Sequence, residues 1–412
     1  MGFLDVFRIN HTERGWLLPI RWQVSFLALA ILFVLLRRAS AEDSPPLDGK
    51  NGRDLVLDQF QPESMLKVPE HLLQRAKFPV VDVHMHPRIR LNSSPELLDD
   101  YVKLMDAQNI AVSVSLDGGM GEQFVEHKKY LWTKYQNRFV IFANIDWRGR
   151  AGEKDYANWD CHRDDFGHRM AVELARCKEL GASGVKIFKT FGLEYLNPDG
   201  SFVKIDDPRW DPIWKACGEL GLPILIHVAD PKAFFLPIDN KNERWEELRR
   251  HPDWSFHESK FPTYEELIAA FLRVVERHPK TTFIGTHLAN SAEDLSTVSA
   301  WLDKYPNLYL DTAARIAELG RQPVTARKFL VKYSGRILFG TDGPRVAERL
   351  LYHWRFFETE DEYFPYAEGS FPPQGFWRIY GVHLPDDVLK QIYSGNAARI
   401  VPGVKERLKF DG

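Results

Sequence analysis

A (β/α)8 barrel with long loops at the C-terminal ends of its strands is the fold class this sequence predicts, on two observations. Eight short β-branched, apolar runs recur along the chain with amphipathic stretches between them, as alternating strands and helices require. The runs are mostly apolar, as befits strands buried on both faces. The chain has 412 residues, 44% hydrophobic and 27% charged, which excludes a disordered, collagen-like or multi-spanning membrane protein. Lysine and arginine number 54 against 57 aspartates and glutamates, a net charge of −3. No basic excess is present to hold a nucleic acid backbone. Cys161, Cys177 and Cys217 are too few for a disulfide scaffold, and with no C-x-x-C pair among them they give no redox or cysteine-zinc signal.

The first element is an N-terminal targeting segment, residues 1–41. Its apolar run, Val24 to Leu36, follows Arg8, Arg14 and Arg21 and precedes Arg37 and Arg38. An apolar core of about 13 residues is short for a membrane span and suits an export signal. Ala39-Ser40-Ala41 supplies the small residues of a cleavage site, although Arg37 and Arg38 would then have to cross the membrane. An uncleaved anchor starting near Trp16, with residues 22–36 as the tether, is the alternative. Either form places the folded part outside the cytoplasm, exported or membrane-anchored. Residues 42–75 read as a polar, Pro/Gly/Asp-rich linker and N-terminal extension, and 76–412 as the catalytic domain.

The eight strand runs are Phe78–Val83, Ile110–Leu116, Phe139–Ile145, Gly184–Phe188, Pro223–Val228, Thr282–Thr286, Leu308–Asp311 and Ile337–Gly340. Helical periodicity marks Arg169–Leu180, Pro212–Leu220, Tyr264–Arg277 and Ala292–Lys304 between them. A doubly wound open sheet would need a Gly-rich phosphate loop after the first strand, where His84-Met85-His86-Pro87 stands instead. The connections Asp146–Gly167, Gly192–Arg209, Asp230–Thr263 and Gly343–Leu384 are long and rich in Trp and Tyr. In a barrel they lie on the C-terminal face, where active sites are built. Most of those rings are expected to pack one loop on another, and some to roof a pocket.

The chemistry-bearing residues cluster at strand ends. His84 and His86 end the first strand, His227 the fifth, His287 the sixth and Asp342 the eighth. A period of two sets Asp82, His84 and His86 on one side. Each alone is ordinary, since a strand-end histidine is often a hydrogen-bonded core residue and T-D-G often a turn. Jointly, in a barrel, they converge on the axis, and neutral imidazole and carboxylate are the ligands of zinc and similar ions. No G-x-S-x-G elbow is present, which excludes a serine–histidine–aspartate hydrolase of that kind. Arg315, just past the seventh strand, is either a clamp for a substrate carboxylate or half of an ion pair. Asp117 and Asn144 are candidates to line the site. Lys186 or Lys189 either neutralises an anionic substrate or pairs with an acidic neighbour, and alternation does not say which faces inward. Asn396 reads as structural, a helix cap.

The segments VDVHMHP, ILIHVADP, FIGTHLAN, FGTDG and IYSGNAARI together resemble the amidohydrolase superfamily, in particular the amidohydrolase-related group that includes aminocarboxymuconate semialdehyde decarboxylase-like enzymes. The resemblance covers about residues 78 to 403. It implies a metal-dependent barrel enzyme with His84, His86, His227 and Asp342 around the ion and His287 behind them or as catalytic base. Some binuclear members carry a carbamylated lysine on strand four, where this chain offers Lys186 and Lys189. One divalent ion, zinc, is expected rather than two. Such an ion lowers the pKa of bound water towards 7, and Asp342 is placed to shuttle its proton. The expected function is hydrolysis of a small amide, ester or lactone-like substrate. The alternatives are a metal-dependent decarboxylase of the same group and a non-catalytic, metal-retaining surface protein.

Overall fold

Eight parallel strands, each hydrogen-bonded to the next in chain order, form a single sheet. They are β1 (Val80–Met85), β2 (Ile110–Ser115), β3 (Phe139–Asn144), β4 (Ala182–Ile187), β5 (Ile224–Ile226), β6 (Phe283–Gly285), β7 (Leu308–Asp311) and β8 (Ile337–Leu338). The amide of Val83 donates to Phe339 O at 3.0 Å and that of Asp342 to His84 O at 3.0 Å, which brings the last strand back to the first. The computed structural model describes residues 54–55, 60, 62–343, 347–368 and 373–408. The targeting segment 1–41 and half of the linker therefore lie outside the described residues. The chain from Met65 onward is one unit; before it, the described residues of 1–64 are solvent-exposed. Among the described residues no helix is long and apolar enough to cross a membrane.

A helix follows every strand: α1 (Pro95–Gln108), α2 (Gly121–Tyr135), α3 (Phe166–Leu180), α4 (Asp211–Leu220), α5 (Tyr264–Arg277), α6 (Leu295–Lys304), α7 (Pro323–Lys332) and α8 (Ala347–Glu358). Local chemistry sets many ends. Ser94 caps α1 by accepting from the Leu97 amide, with Pro95 at the first helical position, where its missing N–H is harmless. Thr263 and Glu266 close a reciprocal capping box on α5, and that helix has the bounds its periodicity predicts. Helices α3 and α4 stop at Gly181 and Gly221, whose positive φ ends a helix without a Cβ clash. The predicted connection Gly343–Leu384 is not one loop, because α8 lies inside it. Leu350, Trp354 and Phe357, spaced for one helix face, are buried there.

Two apolar layers hold the barrel. Its interior is filled by Val81, Val83, Val112, Val114, Val140, Phe142, Leu225, Ile284 and Leu338, with Ala397, Val401 and Val404 from the C-terminal helices. The larger layer lies between sheet and helices. Asn396 does not cap a helix. It is fully buried within the helical stretch, and its Nδ2 donates to Ser334 O and Ile337 O, both at 2.6 Å. It ties that stretch to the start of β8. Strands β5, β6 and β8 are only two or three residues long, shorter than their apolar runs, because the chain leaves the ladder early to form the site.

Candidate metal centre

β1 supplies two imidazoles, and a bulge aims the first. Asp82 stands opposite Ser113 and Met85 opposite Ser115, so β1 spends one residue more than β2 over this stretch. Such an insertion turns two successive side chains to one face. Val83 enters the barrel interior and His84 follows it, while Asp82 lies on the other face. The expectation that Asp82, His84 and His86 share a side therefore fails at Asp82. Its carboxylate instead accepts from the His84 amide (3.0 Å), the Thr341 amide (3.1 Å) and the Thr341 hydroxyl (2.5 Å). This fastens the end of β8 to β1, and burial pushes the Asp82 carboxyl up to about 7.

Both histidines have one nitrogen held by a carboxylate. His84 Nδ1 lies 2.9 Å from Asp311 Oδ2, and His86 Nδ1 lies 2.7 Å from Asp117 Oδ1. An ionised carboxylate only accepts, so each Nδ1 carries the proton and each Nε2 keeps its lone pair. Both Nε2 atoms are 3.8 Å from Asp342 Oδ1. His84, His86 and Asp342 thus present three ligand atoms within 4.8 Å of one another. Asp342 reaches them from a left-handed turn (φ 65°), and the guanidinium of Arg90 donates to its carbonyl at 3.1 Å. The approach requires Gly340, where an added Cβ would sit 3.1 Å from that of His84. Burial holds His84 well below the usual imidazole pKa, with Lys186 adding to the effect. It stays neutral, as a ligand must.

The structure does not bring His227 into that group. Its Nε2 is buried without a hydrogen-bond partner, 3.7 Å from Asp230 Oδ1, and its ring lies 4.6 Å from that of His287. His287 begins a run of four left-handed residues with φ of 56°, 56°, 51° and 59° through Asn290. Non-glycine residues adopt this conformation at a cost of about 1–2 kcal/mol each. The turn is held where the His287 amide donates to Asp311 Oδ1 at 2.7 Å. His287 Nδ1 donates to Ala313 O at 2.7 Å, which leaves Nε2 as the acceptor. Burial, then the neighbouring His227, Arg315 and His84, keep this ring neutral.

Of the two strand-four lysines, Lys186 is the inward one. It is 1% exposed, its Nζ has no hydrogen-bond partner, and burial lowers its pKa to about 8. Lys189 lies past the strand and pairs with Asp230 at 2.6 Å. Arg315 is not free to clamp a substrate: it is buried against Glu318 Oε1 at 3.2 Å, an oxygen shared with Arg244 at 2.6 Å. Asp117 is likewise occupied, by His86 and the Arg88 amide (3.0 Å). Asn144 lines the adjoining cavity, but its carboxamide is spent on the Gly119 amide and Leu116 O, both at 2.8 Å.

That cavity, of about 650 Å³, runs from Lys186 and Phe188 past Arg88 to Trp147, Arg148 and Tyr195 on the loops after β3 and β4. Many loop rings do pack on one another, Trp147 stacking on Phe191 at 4.3 Å and Trp159 lying edge-on to Tyr195 at 4.8 Å. Sequence reasoning missed Asp311 and Arg88. The available signal was an aspartate ending a strand buried on both faces, where an unpaired charge is costly.

The family described as amidohydrolase matches residues 81–403. No curated protein sequence matches the chain. Among solved structures, 2,6-dihydroxybenzoate decarboxylase from Rhizobium aligns over 81% of this chain and 100% of its own, at 19% identity and a TM-score of 0.45. A dihydroxybenzoic acid decarboxylase from a Polaromonas species, with bound manganese and 2-nitroresorcinol, aligns over 81% and 100%, at 18% identity and 0.47. Dihydroorotase from Campylobacter jejuni aligns over 80% and 86%, at 12% identity and 0.44. With the family match spanning most of the barrel, and two imidazoles and a carboxylate converging at its C-terminal face, the chain belongs to the amidohydrolase family.

Proposed function

We propose that this protein is an exported or membrane-anchored, metal-dependent hydrolase acting on a small anionic amide, ester or lactone-like substrate. The observation that carries it is the convergence of two imidazole lone pairs on one carboxylate oxygen, each imidazole backed by its own carboxylate. The donor set fits one divalent ion, with zinc the first candidate: His84, His86 and Asp342 would hold it, and the unpartnered Nε2 of His227 is the available fourth donor. When bound, the ion supplies Lewis acidity that makes water acidic near neutral pH and polarises a substrate oxygen.

The chain's own residues supply the rest. His287, neutral and with Nε2 as acceptor, is suited to take a proton from water, and Asp342 to carry one to a leaving group. A neutral base favours hydrolysis, since decarboxylation requires a proton donor for the carbanion. Lys186, a buried cation without a hydrogen-bond partner, together with Arg88 on the same cavity, suits an anionic substrate. The same lysine favours a second reading, a carbon–carbon lyase that seats a substrate carboxylate there. Turnover of a panel of amides, lactones and carboxylates in ¹⁸O-labelled water tests the choice. Label in a carboxylate product is expected; release of CO₂ with no label in the remaining product would establish the lyase. N-terminal sequencing tests the export: a start near Glu42 or a membrane-bound intact Met1 supports it, and a soluble cytoplasmic full-length chain refutes it.

A further inference from the structure

Asp311, at the end of β7, is fully buried and is the one described carboxylate that touches both the first histidine of β1 and the histidine just after β6. Its Oδ2 faces His84 Nδ1 at 2.9 Å. Its Oδ1 accepts from the His287 amide at 2.7 Å and the Ala313 amide at 3.1 Å. Ala313 in turn offers its carbonyl to His287 Nδ1 at 2.7 Å. One carboxylate therefore sets the tautomer of His84 and, through two backbone amides, the left-handed turn that carries His287. The two rings lie 5.0 Å apart and tilted by 32°. Neither effect can be replaced by packing, because a hydrophobic side chain would leave three buried donors unpaired.

We infer that Asp311 is the positioning residue of this site: it fixes the lone pair of His84 towards Asp342 and holds His287 beside it, coupling metal capture to the placement of the base. Asp117 serves His86 in the first of these ways only, having no bond to the His287 turn. The inference rests on the proposed metal reading for its consequence in affinity, and on hydrogen-bond geometry alone for its consequence in tautomer.

Asp311→Asn keeps the side-chain shape and an acceptor for the two amides but turns an N–H₂ towards His84 Nδ1. Zn²⁺ affinity, measured by chelator competition, is expected to fall about 10–100-fold, the usual cost of losing a carboxylate behind a ligating imidazole. Asp117→Asn is expected to weaken Zn²⁺ binding comparably. In ¹⁵N-histidine spectra of metal-free protein, wild-type His84 is expected as the Nδ1–H tautomer. The His287 resonances should move in Asp311→Asn and stay in place in Asp117→Asn. Wild-type His84 with its proton on Nε2 would overturn the inference whether or not any variant folds. So would Asp311→Asn binding Zn²⁺ within twofold of wild type, or lowering thermal stability with affinity and the His287 resonances unchanged. A wild-type protein that shows the expected tautomer yet binds no divalent ion would overturn the metal reading and leave the positioning role standing.

Discussion

Lys186→Met should make the metal-free protein more stable and the enzyme worse. Lys186 is buried with no hydrogen-bond partner for its ammonium, and burial lowers its pKa to about 8 against the opposing pull of Asp311, Asp342 and Asp117. The unfolded chain keeps that proton up to about 10.4. Between the two values the unfolded state binds more protons, so stability rises with pH across that window, and the full penalty is present below pH 8. At about 1.4 kcal/mol per pH unit the penalty is about 3 kcal/mol. Methionine is unbranched and fills the same channel without the charge. Denaturant unfolding of chelator-treated protein at pH 7 should therefore show the variant more stable by up to about 3 kcal/mol. The gap should close as the pH approaches 10. Turnover should drop in the same variant, with KM for an anionic substrate raised. A variant no more stable than wild type at pH 7, with unchanged KM, would refute both the buried charge and its role in seating an anion.

Four further outcomes are expected. Purified protein should carry about one divalent ion per chain, the coordination of a mononuclear site; His84→Ala with His86→Ala should lose the ion while circular dichroism stays native. Bicarbonate should leave metal content at one, and a second ion dependent on bicarbonate and lost in Lys186→Ala would assign a carbamylated lysine instead. His127 and His353 are each pushed down to about 4 by burial. The unfolded chain protonates them near 6.5, so stability should fall as pH drops from 6.5 to 4, by roughly 3 kcal/mol for each, and His353→Leu should flatten part of that slope in acid unfolding curves. Arg315→Ala should act mainly through stability, because removing it leaves Glu318 buried with one cation fewer; a loss of turnover with unchanged melting would return Arg315 to the substrate.

The order of strands, the bounds of α5 and the gathering of His84, His86 and Asp342 were legible in the sequence. Each depends on information carried locally: a buried parallel strand is an apolar run, a capping box names its helix, and a strand end in a barrel faces the axis. The resemblance carried by the strand-end motifs came from the same local stretches. Other features depend on distant parts of the chain. A one-residue offset between β1 and β2 sets Asp82 on the face opposite His84. The inward lysine was decided by the ladder that matches Lys186 with Asn144 and Leu225. Arg315 met Glu318 rather than open solvent, and His227 stopped short of the other donors. Asp311, 227 residues along the chain from His84, has no motif of its own. Its role exists only because closing the barrel through β8 brings the end of β7 within reach of His84, and a buried carboxylate must find its donors wherever the fold has put them.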